Sequence, residues 1–172
     1  AANRLKATNS AAYLGSYTWR MSDGWFGGLS ALSLSADGGS MTVLSDSATL
    51  ATAQINRDKG RISGIDITSV HKLRASTGRT LRGRANDSEG LAITPDGTIY
   101  VSFEGISRVA RHRKANSRAE VLPRPKGFRS LPFNKALEAL ATDTCGHLYT
   151  LPENALNSSG QIPVWHWNGR SW

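Results

Sequence analysis

The chain has one cysteine, Cys145, among its 172 residues, and only two methionines. A single thiol excludes a disulfide within the chain and any multi-cysteine metal cluster. No apolar run reaches the ~18 residues that a membrane-spanning helix requires, so no membrane span is predicted. The four histidines are scattered without zinc-ligand spacing. No G-x-S-x-G elbow is present and no Ser-His-Asp arrangement can be assembled. Cys145 sits in a turn and is not read as a nucleophile. Helical patterns are also scarce. Only "NKALEALAT" (134–142) hints at one, and its small residues leave it ambiguous.

What is present is positive charge and strand pattern. Lys and Arg number 21 against 13 Asp and Glu, a net charge of +8. The excess concentrates in "HKLRASTGRTLRGR" (71–84) and "SRVARHRKANSR" (107–118). Neither run interleaves aromatics or shows a zinc-finger or RNA-binding signature. They read as solvated loops and strand edges, and the partner expected is an anionic small molecule rather than nucleic acid. With 39% hydrophobic residues, the length suits one domain with a core. The opening "AANRLKATNSAA" has small residues and no initiator Met. It fits a chain left after signal cleavage, or an engineered start; the first points to the periplasm or secretion.

Short runs bounded by Gly, Asp, Asn or Pro predict strands throughout: "LSALSLS", "SMTVLS", "ATAQIN", "RISGIDIT", "TIYVSFE", "HLYTLPE" and "PVWHWN". They belong to a repeat. "GLSALSLSADGGSMTVLSDS" (28–47), "DSEGLAITPDGTIYVSFEG" (87–105) and "ALEALATDTCGHLYTLPEN" (136–154) share one plan. Each runs from an apolar strand through a Gly turn to a second apolar strand with an acidic end. Glycine in "ADGG", "PDGT" and "TCGH" supplies the positive φ of a tight hairpin. Further strand-like runs follow each hairpin, giving about four strands per unit, the size of a propeller blade. The expectation is all-β: a β-propeller of about three four-stranded antiparallel blades at residues 26–84, 85–133 and 134–172, after an N-terminal strand segment at 1–25. Trp165, Trp167 and Trp172 are expected to pack between blades.

The segments "FGGLSALSLSADGGSMTVLSD" (26–46), "DSEGLAITPDGTIYVSFEGISRVARH" (87–112) and "NKALEALATDTCGHLYTLPEN" (134–154) resemble the phytase-like, "esterase-like activity of phytase" family of exported bacterial propellers. The resemblance implies a closed propeller about twice this length, with six blades. Three blades leave open faces, so completion by the rest of the protein or by a second copy is expected.

Glu89 and Glu138 share one repeat position, just before the leucine of the first strand, where the first repeat has Ser30. Glu104 and Glu153 share another, at the end of the second strand, with Asp46 near it in the first repeat. Rotation of blades about a channel would bring these positions together. Converging carboxylates repel unless a cation or proton intervenes. Ca²⁺ suits an all-oxygen set of irregular geometry. Glu89, Glu138 and Asp87 are therefore candidate metal ligands, with Asn86 adjacent, and Glu104 and Glu153 are candidate catalytic bases or further ligands. Arg108, Arg111 and Asp46 are candidate substrate contacts. Strand-end capping or pairing with arginine would account for the same acids without a site, and a salt bridge to Glu104 would account for the arginines.

Together with the resemblance, these residues lead to a metal-assisted hydrolase of phosphate esters or other esters. A non-catalytic exported propeller that binds a ligand or partner, and a lactonase-type propeller hydrolase, are the alternatives.

Overall fold

The computed structural model describes residues 13–172. The first sheet is a meander of β1 (Leu29–Leu34), β2 (Ser40–Ser45), β3 (Thr49–Asp58) and β4 (Arg61–Lys72), each strand antiparallel to the next. The second repeats the order with β5 (Ser88–Ile93), β6 (Ile99–Phe103), β7 (Arg108–His112) and a short β8 (Glu120–Val121). The third holds β9 (Leu137–Thr142), β10 (Leu148–Pro152) and β11 (Trp165–Trp167). These three sheets are the blades of a partial β-propeller. The hairpin glycines behave as their sequence setting demands, with Gly38, Gly97 and Gly146 at φ 65°, 81° and 80°.

Several details differ from the sequence expectation. "NKALEALAT" supplies β9, because Leu137 and Leu140 are buried while Ala139 and Ala141 are exposed. The third blade has three strands rather than four. After β10 the chain spends residues 153–164 on a polar connection closed at Asn157, whose Oδ1 accepts from the Ser159 and Gln161 amides. After β11 it turns at Asn168 and folds Trp172 back, its Nε1 donating to Pro123 O at 2.7 Å. The described part of the expected N-terminal strand segment, residues 13–25, contains no strand; the rest of that segment lies outside the described residues. Among the described residues the helical pieces are one 3-10 turn (Gly83–Ala85) and α1 (Lys126–Arg129).

Side-chain alternation along the strands builds the core in layers. In β6, Ile99, Val101 and Phe103 join Leu44, Leu50 and Leu73 between the first two blades. Tyr100, on the opposite face, joins Val109, Leu137, Leu148 and Trp167 between the second and third. A third cluster, with Met41, Val43, Ala51 and Ala53, lies on the far face of the first blade under Trp19 and Trp25. The corresponding face of the third blade carries Tyr149, 40% exposed, stacked on His166 with centroids 4.8 Å apart.

One irregularity recurs. The register between first and second strands slips just after the start of β1, β5 and β9 alike. The extra residue falls at Ser30, in the Glu89–Gly90 pair, and at Glu138. A bulge bends its strand and re-aims a side chain. The amide that the second bulge frees is satisfied, since Gly90 N donates to Ser102 Oγ at 2.9 Å. Gly90 also permits close blade packing: a Cβ there would lie 2.7 Å from Leu140 Cβ and 2.9 Å from Glu138 O.

Candidate functional site

The bulges all lie at one end of the blades, where each inner hairpin is closed by the same backbone bond. Asp46 N donates to Gly28 O (2.7 Å), Glu104 N to Asp87 O (2.9 Å) and Glu153 N to Ala136 O (2.9 Å). Asp46, Glu104 and Glu153 are thus structural equivalents. Ser30, Glu89 and Glu138 are equivalents at the bulges. In the first blade the position is used for cohesion: Ser30 Oγ donates to Ser88 O at 2.7 Å and links the first blade to the second.

In the other two blades the carboxylates converge. Ligand oxygens of Asp87, Glu89 and Glu104 lie within 4.8 Å of one another, as do those of Glu104, Glu138 and Glu153. Glu104 belongs to both groups. It is 9% exposed, and its Oε1 accepts the Ala136 amide at 3.1 Å. Glu89 and Glu138 are half-buried and Glu153 is exposed at the rim. The cluster takes in four of the chain's five glutamates; the fifth, Glu120, pairs with Arg111. Among the described residues no Lys, Arg or His forms a salt bridge with any of these carboxylates.

The electrostatics follow from this crowding. Burial, then the charges of Glu138, Asp87, Glu104 and Asp46, push the Glu89 carboxyl up to about 7. Burial and the charges of Glu104, Glu153 and Asp87 also raise Glu138. Carboxylates that repel one another in a partly desolvated place gain most from a cation. The donors here are all oxygen, which is compatible with a hard divalent ion of the calcium type.

The arginines singled out in the sequence lie elsewhere. Arg108 is buried; it donates to the Ile106 and Ala85 carbonyls and stacks on Phe103, 3.7 Å from the ring centroid. Arg111 forms an ion pair with Glu120 at 2.6 Å on the outer part of the second blade. Neither makes a salt bridge with Glu104. Asp46 is exposed and reaches the cluster through its charge on Glu89. Asn86 donates its backbone N–H to Gly83 O, ending the 3-10 turn. Cys145 is exposed. His147, two residues on, directs its Nδ1 to Asp143 at 3.4 Å.

The sequence reading missed Arg84, Arg124 and Arg129, which line a cavity beside Glu104. Arg84 stands in the connection before β5, and Arg124 and Arg129 stand in the one between β8 and β9, about 40 residues on, so no spacing motif announces them.

A family model described as "Phytase-like: Esterase-like activity of phytase" matches residues 24–171. The chain belongs to this phytase-like family. Three solved structures resemble the phytase-like chain. The Cps50 (Swd1) beta-propeller domain of Myceliophteria thermophila is 14% identical, with a TM-score of 0.48, over 80% of this chain and 40% of that one. A luciferin-regenerating enzyme is 15% identical, TM-score 0.45, over 82% and 45%. A calcium-binding protein, regucalcin, from Agrobacterium tumefaciens is 16% identical, TM-score 0.31, over 78% and 48%. The phytase-like chain therefore spans less than half the length of each. No curated protein matches it.

Proposed function

We propose that this phytase-like chain belongs to a metal-assisted hydrolase of phosphate esters or other esters, with calcium as its cation. One observation carries the reading: equivalent acidic positions of successive blades meet at one end around Glu104, with no basic residue paired to them among the described residues. Such an arrangement is unfavourable for the fold alone, because like charges are crowded and partly desolvated.

In this reading the cation sits on the Asp87, Glu89 and Glu104 group, with Glu138 of the adjoining group close enough for its charge to raise Glu89. Glu104 stands between the two groups, one oxygen fixed by the Ala136 amide and the other free to turn to the cation. Bound Ca²⁺ would neutralise an anionic substrate and polarise the scissile centre. Glu153, at the exposed rim, takes the proton of the attacking water at its carboxylate as the scissile ester bond breaks, and returns that proton to the leaving alkoxide. The same geometry explains why so basic a chain keeps its glutamates together.

Metal analysis of the purified protein, followed by phosphate release from phytate and p-nitrophenyl phosphate with and without EDTA, tests the proposal. Calcium in the protein and EDTA-sensitive turnover are expected. Turnover indifferent to EDTA, or a folded protein that turns over no phosphate ester, carboxylic ester or lactone, would overturn it.

We also propose that the rest of the propeller is supplied by the remainder of its own protein or by a second copy, since three sheets are fewer than the four or more blades that close a propeller. Light scattering during size-exclusion chromatography reads this directly: a stable monomer of 18.5 kDa would contradict it.

A further inference from the structure

Glu104 forms one wall of a cavity of ≈ 250 Å³, and Arg84, Arg124 and Arg129 stand on the others. Arg84 belongs to the 3-10 turn before β5, Arg124 to the connection after β8, and Arg129 to the end of α1. The acidic cluster and this basic cavity therefore meet at a shared residue.

The frame around the cavity is well held. Phe128 is 1% exposed and packs against Trp165 and Trp172, each with centroids 5.1 Å away. Trp172 ties the same connection down through its bond to Pro123 O. Pro123 and Pro125 fix backbone φ on either side of Arg124. Gly127 lies so close to Trp165 that a Cβ would fall 2.8 Å from the indole. From the other side, the Arg84 guanidinium sits 4.2 Å from the Phe133 ring centroid and donates to Gly105 O at 3.1 Å.

The charge is not balanced locally. Among the described residues, none of the three arginines has a carboxylate within salt-bridge distance. A fourth guanidinium, Arg108, is buried nearby with its donors turned to backbone carbonyls. Burial, then the charge of Arg124, lowers Arg108 to about 10. The single acid in the wall, Glu104, is engaged with the Ala136 amide and the acidic cluster. Gathered guanidiniums repel as the carboxylates do, and an oxyanion removes that repulsion through charge-assisted hydrogen bonds.

We propose that this cavity is the oxyanion subsite of the hydrolase, in which Arg84, Arg124 and Arg129 hold a phosphoryl group of the substrate against the carboxylate cluster. The inference deepens the functional reading above and rests on it for the word substrate; anion binding itself needs no cation. The volume falls below the roughly 300–1,000 Å³ of pockets for drug-sized ligands, so it accommodates a single charged group. Three guanidiniums, each with a planar fork of donors, match the several oxygens of a phosphoryl better than the two of a carboxylate. The anion-holding role expected of Arg108 and Arg111 thereby passes to exposed arginines of the cavity wall that form no salt bridge among the described residues.

Inorganic phosphate titrated into the chain in EDTA, followed by isothermal calorimetry, tests the subsite without calcium or turnover. Saturable one-to-one binding is expected. The Arg124→Gln/Arg129→Gln pair should weaken it at least tenfold, as should Arg84→Gln on the opposite wall. Arg111→Gln, committed to Glu120, should leave it unchanged. Arg84, Arg124 and Arg129 are all exposed, and unchanged far-ultraviolet circular dichroism would verify that the variants fold. Phosphate binding that is absent, that survives the double substitution, or that acetate matches in affinity would overturn the proposal. Calcium titration in phosphate-free buffer separates the two ideas. Phosphate binding without calcium binding upholds the subsite and removes the cation reading; calcium binding without phosphate binding removes the subsite alone.

Discussion

The inner hairpins carry carboxylates at both ends, and the two ends treat them in opposite ways. At the turn end, Asp37 accepts from Ser35 Oγ (2.6 Å) and the Gly39 amide (2.9 Å). Asp96 accepts from Thr94 Oγ1 (2.6 Å) and the Thr98 amide (3.1 Å). Asp143 accepts from the Cys145 and His147 amides, both at 2.9 Å. The Ser35 and Thr94 hydroxyls, followed by the turn amides, hold Asp37 and Asp96 below the usual carboxylate range. Some desolvation notwithstanding, the His147 and Cys145 amides do the same for Asp143. At the bulge end, Glu89 and Glu138 face other acids and are pushed upward. Acids satisfied by local donors serve the turn. Acids aimed at one another cost the fold stability, a cost that the proposed cation would offset.

The comparison breaks most visibly in calcium affinity. Glu89→Gln with Glu138→Gln should weaken calcium binding at least a hundredfold by calorimetry, about 2.7 kcal/mol, whereas Asp37→Asn with Asp96→Asn should leave it unchanged. Equal losses from both pairs would erase the distinction between the two ends.

Glu104 gives the next effect. Glu104→Ala leaves the buried Ala136 amide without its acceptor, and about 1–3 kcal/mol of stability should be lost in urea unfolding. Glu104→Gln keeps an acceptor oxygen and removes a repelling charge, so it should recover most of that loss. If the two variants unfold together, the Ala136 bond is not what Glu104 contributes to the fold.

A smaller effect lies in the pH dependence, where the two ends have opposite signs. Glu89 titrates near 7 when folded against 4.5 in the unfolded chain, so between these values the folded state binds more protons. Metal-free stability should therefore fall as pH rises from about 4.5 to about 7 and then level off, and Glu89→Gln or saturating calcium should flatten the slope. The turn acids have lowered values when folded, so their contribution is present above the unfolded 3.8 and lost as pH falls through the acid limb. Asp96→Asn should show the smallest change of the series, a shallower acid limb in thermal melts with the neutral region unaltered.

Much of this was legible in the chain. "PDGT" between "LAI" and "IYVSF" announced a hairpin because glycine relieves the positive φ of the turn and alternation assigns each strand two faces. Three copies of that pattern announced blades, and their acidic ends marked the end of the blade to examine. Other features were hidden. "NKALEALAT" carries helix-prone residues yet pairs as β9, since burial of Leu137 and Leu140 against the second blade outweighs weak intrinsic propensity. The third blade's shortened sheet depends on how a polar connection folds at Asn157, which no strand pattern reveals.

The sequence by itself determined the repeat, the hairpin turns, the alternation of core faces and the recurrence of Glu89 with Glu138 and of Glu104 with Glu153, because each is a local matter of φ, period two and residue order. Tertiary structure alone decided that bulges slip the register at those same places, that Glu104 links two carboxylate groups, and that Arg84, Arg124 and Arg129 meet beside it. A pKa or a charge cluster depends on distance through space. Residues separated by 40 positions acquire that distance only when blades pack face to face.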